Sequence, residues 1–205
     1  MASCVEQATE TTISLKGSTK MVTEFFYYAI NSILYQRGIY PSESFDTITK
    51  YNLKIVDTCD DKLKAYLSNV LDTLEGWLKE LNVQKLVLVL QDLESKENVE
   101  RWAFDVTCDK SISANPDFTK PADLKHIQRG IQDVIRQVVS SITFLPILES
   151  PCSFDLLIYC DQEVSTPDGW DETTAKLVID SEDLPLKSFT TSIHSVAPTV
   201  SYRRT

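Results

Sequence analysis

Glycine is scarce in this chain, and each one stands alone: Gly17, Gly38, Gly76, Gly130 and Gly169 are the five in 205 residues. A phosphate cradle needs glycines clustered where backbone amides converge, so neither nucleotide-binding motif is present. Histidine is scarcer still. His126 falls on a predicted helix and His194 at the end of a strand, far apart in sequence, and both read as structural residues. The five cysteines, Cys4, Cys59, Cys108, Cys152 and Cys160, include no C-x-x-C pair. Cys152 and Cys160 share a strand face but lack zinc-knuckle spacing, so buried structural thiols are expected. An odd count leaves at least one thiol unpaired, and no signal-like apolar stretch follows Met1, which together predict a reducing intracellular compartment. No apolar run reaches the roughly 18 residues of a membrane-spanning helix, so a soluble chain without a membrane partner is expected. Positive charge is in deficit, with 20 Lys and Arg against 30 Asp and Glu, a net of −10. Phosphate neutralisation draws on clustered cations, so nucleic acid is excluded as a partner. Asp60/Asp61 and Asp171/Glu172 are the carboxylate pairs that could act as acid and base. The first has a helix-start explanation and the second lies on a polar segment, so neither argues for catalysis, and no cofactor or metal is expected.

What is present is enough apolar material, 42% of residues, for one well-buried core and little more. After a polar start, Ser18 to Arg37 carries apolar pairs at alternating three- and four-residue spacing, from Met21/Val22 to Ile33/Leu34. This predicts a long helix with Ser18 at its cap and Gly38 and Pro41 at its end. A second helix starts at Asp60-Asp61 and sets Leu63, Leu67, Val70, Leu71, Leu74, Leu78 and Leu81 on one side, with Asn82 closing it. A third runs from about Asp123 to Leu145, stopped by Pro146 and weakened slightly by Gly130. Leu86 to Leu90 is continuously apolar, the pattern of a central strand. Arg101 to Thr107 alternates, which predicts a half-exposed strand. Phe154 to Cys160 is a further strand, with Phe154, Leu156 and Ile158 on one face and Asp155, Leu157 and Tyr159 on the other. From Asp161 to Asp183 the texture is acidic and rich in Thr, broken by Pro167 and Gly169, with Trp170, Leu177, Val178 and Ile179 as its apolar anchors. Leu186 to Tyr202 recovers a strand pattern through Phe189, Thr191 and Ile193. Three helices bracketing a mostly antiparallel sheet make an α+β domain.

Several blocks carry a family likeness: Glu24-Phe25-Phe26, Ile30 to Pro41, Val83 to Val87, Glu100-Arg101-Trp102, Thr143 to Pro146, Cys152 to Tyr159 and Ser188 to Thr191. Spread over almost the whole chain, they resemble the spindle-checkpoint branch of the HORMA family. The resemblance implies a single HORMA domain over 1–205 whose C-terminal segment, 161–205, is a mobile safety belt. In one state the belt covers the sheet edge where partners bind. In the other it crosses the sheet and traps a partner's extended segment as an added strand. It implies a non-enzymatic component of the spindle assembly checkpoint that sequesters the activator of the anaphase-promoting complex. Further implied partners are a coiled-coil kinetochore protein, the kinase-like scaffold of the mitotic checkpoint complex, a HORMA-like silencing protein with an AAA+ ATPase, and a second copy in an open-closed homodimer. Nucleus and cytoplasm, with kinetochores in mitosis, are the implied locations.

The resemblance assigns residues as well. Phe154, Asp155, Leu156, Leu157, Ile158 and Tyr159 would bind the partner strand; by pattern alone the same run is an ordinary core strand. Arg136, Gln137, Thr143 and Phe144, with Arg101 and Trp102 nearby, would form the self-association face. Trp170, Ile179, Phe189, Ile193 and His194 would belong to the belt, while Trp77 reads as core packing. Pro185 and Lys187 stand where the family usually has arginines, the loop Lys110 to Lys120 departs too, and the tail Ser201 to Thr205 is more basic than the family pattern. Two rival readings are another HORMA protein, serving translesion polymerase assembly or meiotic axes, and a small acidic hydrolase using Cys160 or Asp171.

Overall fold

A computed structural model describes residues 12–204, apart from 110, 113–114, 116–117, 162–163 and 165. The polar opening with Cys4, and part of the loop 110–120, lie outside the described residues. Strand β1 (Thr12–Ser14) runs directly into helix α1 (Leu15–Gln36). Ser14 caps this helix, its hydroxyl accepting the Gly17 amide at 3.0 Å. Ser18, the expected cap, lies a turn inside and is wholly buried. The apolar spacing carries through, with Val22, Phe25, Phe26, Ala29, Ile30, Ile33 and Leu34 all buried. A hairpin of β2 (Phe45–Lys50) and β3 (Leu53–Thr58) follows, turning at Tyr51 and Asn52, both with positive φ.

Helix α2 (Asp61–Lys79) starts where the acidic pair predicts: the Asp60 carboxylate accepts the Leu63 amide at 2.8 Å. Strands β4 (Val83–Asp92) and β5 (Asn98–Cys108) lead to the short β6 (Thr119–Pro121), which pairs with β1. Helix α3 (Leu124–Ser141) is capped by Asp123. Its expected extension to Leu145 instead tightens, with Thr143 and Phe144 amides reaching back three residues to Ser140 and Ser141. The chain ends with β7 (Cys152–Cys160), β8 (Ser181–Pro185), β9 (Phe189–Thr190) and β10 (His194–Arg203).

The main sheet has the order β7-β4-β5-β10-β8, with β9 also paired to β10, and every pairing is antiparallel. The helices pack on the face that carries Leu86, Leu88, Leu90, Trp102, Phe104, Val196 and Val200. Val87, Val89, Ala103 and Leu157 form a smaller apolar patch on the other face. β5 therefore differs from its half-exposed expectation. It lies between β4 and β10, and Arg101 to Phe104 are buried on both faces. Alternation predicts one wet face, but chain from elsewhere covers it. Gly130 is explained by packing rather than propensity, since a Cβ there would fall 2.8 Å from that of Phe189.

Candidate functional site

β7 is nine residues long and hydrogen-bonds to β4 on one side only; among the described residues no strand pairs with its outer edge. A long, partly apolar edge is a template for strand addition unless something covers it. Here the chain's own continuation does so without pairing. After Cys160 the Asp161 amide donates to the Asn82 carbonyl at 3.0 Å. Trp170 then meets Trp77 of α2 edge-on, ring centroids 5.6 Å apart, on the helical side of the sheet. A few residues later the chain is on the opposite side. Lys176 pairs with Asp155, the Tyr159 hydroxyl donates to the Ala175 carbonyl at 3.3 Å, and Asn98 Nδ2 donates to the Leu177 carbonyl at 3.2 Å. Val178 is buried at 7% exposure, while Leu177 and Ile179 are exposed at 66% and 65%. Of the expected anchors in this stretch, Trp170 and Val178 pack and Leu177 and Ile179 do not. The segment finishes in β8, which pairs with β10 at the far side of the sheet.

The chain thus passes round the outer edge of β7 from one face to the other, and a cavity of about 370 Å³ separates the two. Leu156 to Asp161 form its inner wall, and Val164, Thr166 and Trp170 to Thr174 its outer wall, with Trp77 at the helical side. Its charged lining residues, Asp161, Asp171 and Glu172, are all acidic. Within β7, Phe154 packs edge-on against Tyr40 and Tyr66, and Leu156 and Leu157 are buried on opposite faces. Burial raises the Cys160 thiol to about 11, which holds it protonated and unreactive at neutral pH. Cys152 is raised by the same cause.

The residues expected at a self-association face divide. Arg136 is exposed and bonds to Asp133 on its own helix at 3.4 Å; Thr143 and Phe144 lie just past the helix end, Phe144 51% exposed. Gln137 Oε1 accepts the Lys187 amide at 2.5 Å, and Lys187 Nζ reaches Asp133 at 2.9 Å, tying the C-terminal segment to α3. Arg101 and Trp102 do not join them. Both are on the central strand β5, Trp102 only 1% exposed with its indole N–H given to Glu100 at 2.7 Å, and Arg101 lies under the crossing segment beside Tyr159. In this arrangement neither has a surface to offer a second molecule. Pro185 sits in β8, opposite Thr199 of β10.

Of the belt residues, Phe189, Ile193 and His194 are buried against the helical layer. Phe189 packs 4.8 Å from the Phe25 ring. His194 Nε2 lies 3.4 Å from the Leu78 carbonyl, which can only accept, so the proton sits on Nε2 and Nδ1 accepts from the Ser18 hydroxyl at 2.7 Å. Desolvation lowers its pKa to about 4. The unfolded chain binds this proton from about pH 6.5 downward and the folded chain does not, so the stability is complete above 6.5 and is lost as pH falls towards 4. Urea unfolding at pH 7.5 and pH 5 should differ by roughly 2 kcal/mol from this residue, a difference His194→Gln removes. Equal pH dependence in the two proteins would contradict it. Sequence reading missed Ser18 as its partner, because nothing local marks a contact that bridges 176 residues.

Comparison with known proteins agrees with this architecture. A family model for the HORMA domain matches residues 18–194, and the chain belongs to the HORMA family. It is 50% identical over 196 residues to the mitotic spindle assembly checkpoint protein MAD2A of Dictyostelium discoideum, covering 96% of both chains. To the human protein of that name it is 48% identical over 191 residues, covering 93% of both. A chain in the crystal structure of the mitotic checkpoint complex superposes with a TM-score of 0.82 at 38% identity, covering 92% of this chain and all of that one. Within its family, the protein is a spindle-checkpoint component with the HORMA fold.

Proposed function

We propose that the protein acts without catalysis, by holding an extended segment of a checkpoint partner along the outer edge of β7, with residues 161–205 as the clasp. One observation carries this reading: a nine-residue strand edge, unpaired among the described residues, is flanked across a cavity by a segment anchored on both faces of the sheet. An added strand would satisfy the free backbone groups of β7 and alternate its side chains between the helical layer and the crossing segment. Topology, rather than contact area alone, would then hold the partner, since it leaves only when the clasp moves. The acidic lining favours a segment carrying Lys or Arg.

The activator of the anaphase-promoting complex and a coiled-coil kinetochore protein are the expected sources of that segment, and the likeness to a chain of the mitotic checkpoint complex supports this. Assembly with the kinase-like scaffold, pairing of two copies through Arg136 and Phe144, and removal by a HORMA-like protein with an AAA+ ATPase belong to the same reading. So do its working places: nucleus, cytoplasm and mitotic kinetochores. Among the described residues no helix is long and apolar enough to cross a membrane.

The test is binding of a fluorescent peptide from the activator's binding segment, with tryptic cleavage at Lys176 and Lys187 followed by mass spectrometry. Lys176 is the residue that pins the clasp to Asp155. Slow binding with protection of Lys176 is expected. A peptide that neither binds nor alters cleavage would leave the protein with the fold alone and no capture.

A further inference from the structure

The turn joining β9 to β10 touches all three helices, although it lies on the opposite side of β5 and β4 from the β7 edge. Phe189 fills the space that Gly130 leaves open on α3. Thr191, Ser18 and His194 form a closed polar cluster beside it. Ser18 Oγ of α1 is 2.5 Å from Thr191 Oγ1 and 2.7 Å from His194 Nδ1. Thr191 Oγ1 accepts the His194 amide at 2.9 Å, and His194 Nε2 faces the last turn of α2 at Leu78. Ser18, Thr191 and His194 are each wholly buried.

Such a cluster is an unusual way to fill a core. Apolar residues would pack as well without needing partners, whereas three buried polar groups are satisfied only when all are in register. Two of the three, Thr191 and His194, belong to the segment that must move to free a captured strand. Ser18 and the Leu78 carbonyl stay behind in the helical layer. Lifting the segment therefore strands the buried Ser18 hydroxyl before water reaches it, and takes from the Leu78 carbonyl its second donor, the Leu81 amide at 3.2 Å remaining.

We infer that Ser18, Thr191 and His194 form a polar bolt that sets how long a captured segment is retained. They are positioning residues for the clasp and do not touch the segment itself, because β4, β5 and the body of β10 intervene. The inference rests on the capture reading given above. It goes further in locating the kinetic control away from the groove, at a contact between the clasp and the helices.

The test is the release rate of the fluorescent activator peptide from a preformed complex, chased with unlabelled peptide. Ser18→Ala and Thr191→Val should each speed release roughly tenfold, and the double variant little more than either, since each breaks the same network. Thr191→Ser keeps the hydroxyl and should restore the wild-type rate. Ile55→Val, a core change in the β2–β3 hairpin, controls for general loss of stability and should leave release unchanged. Unchanged release in Ser18→Ala and Thr191→Val, or equal acceleration in Ile55→Val, would overturn the bolt while leaving capture intact. Absence of any wild-type binding would remove the capture reading and the bolt with it.

Discussion

Truncation after Ser195 is expected to abolish retention of the activator peptide, raising its Kd by roughly 100-fold or more, the equivalent of about 3 kcal/mol. The reason is positional. Among the described residues β10 is the only strand that pairs with β8, and β8 is where the crossing segment ends. Without Val196 to Arg203 the clasp keeps Trp170 on Trp77, Lys176 on Asp155 and the contacts of Lys187, Phe189 and Thr191 with the helices, but loses the strand that holds β8 in the sheet and continues the pairing of β9. Exposed ion pairs contribute little by themselves, and the buried contacts of Phe189 and Thr191 depend on β10 for their register, so what remains cannot hold a closed loop. The cost also includes Val196 and Val200, both fully buried, so the truncated protein should lose stability as well. Circular dichroism would show the three helices retained, because α1, α2 and α3 share a core with β4, β5 and β7 that the truncation leaves in place. Peptide affinity within threefold of the full chain would mean that the edge of β7 binds without a clasp.

Arg37→Ala should have the largest effect on stability, a loss of about 3–5 kcal/mol. Arg37 Nη2 lies 2.9 Å from Glu100 Oε2, with both side chains almost wholly buried, and also donates to the Pro146 carbonyl at 2.6 Å. Removing the guanidinium leaves a carboxylate in the core with the Trp102 indole as its one donor among the described residues. Burial already holds the Glu100 pKa above its ordinary value against the pull of Arg37. In the variant it rises further, so the folded chain keeps a proton that the unfolded chain gives up. Stability of Arg37→Ala should therefore fall as pH rises above the ordinary carboxylate range, and the variant should be relatively less impaired at pH 5 than at pH 8. Pairing Arg37→Met with Glu100→Gln should recover most of the loss, since no unpaired charge remains. Urea titrations at the two pH values check both points. A loss below about 1 kcal/mol would mean that water reaches Glu100.

Arg37 also links the end of α1 to Pro146, just past the exposed Phe144. The self-association face proposed around Arg136 and Phe144 is thereby braced from the core. Trp102 contributes to that bracing from within β5 through Glu100, while Arg101 faces the other side of the sheet beside Tyr159.

Much of the framework is legible in the chain itself. Asp60 and Asp123 announce helix starts because a carboxylate before an apolar-periodic run has one strong use, accepting the free amides of the first turn. The run Leu86 to Leu90 reads as a central strand because apolar residues on both faces need cover on both. The hairpin β2–β3 goes unassigned from periodicity, although Tyr51 and Asn52 make its turn. The α1 cap falls on Ser14 instead of Ser18 because two serines near one helix start are locally equivalent. Only the arrival of Thr191 and His194 distinguishes them.

The candidate site divides along the same line. The alternation from Phe154 to Tyr159 and the breaker-rich stretch after Cys160 are properties of the sequence, and so are the apolar stripes that build the helices. Which edge of the sheet stays unpaired, and which segment passes round it, depends on β10 taking its place beside β5. That pairing buries Val196 and Val200 and leaves β7 at the rim. Local propensity is summed over neighbours a few positions apart, so it determines elements and their faces. Strand order, the Arg37–Glu100 pair and the contacts of His194 join residues far apart in the chain, and only the closed tertiary structure brings their energies into being.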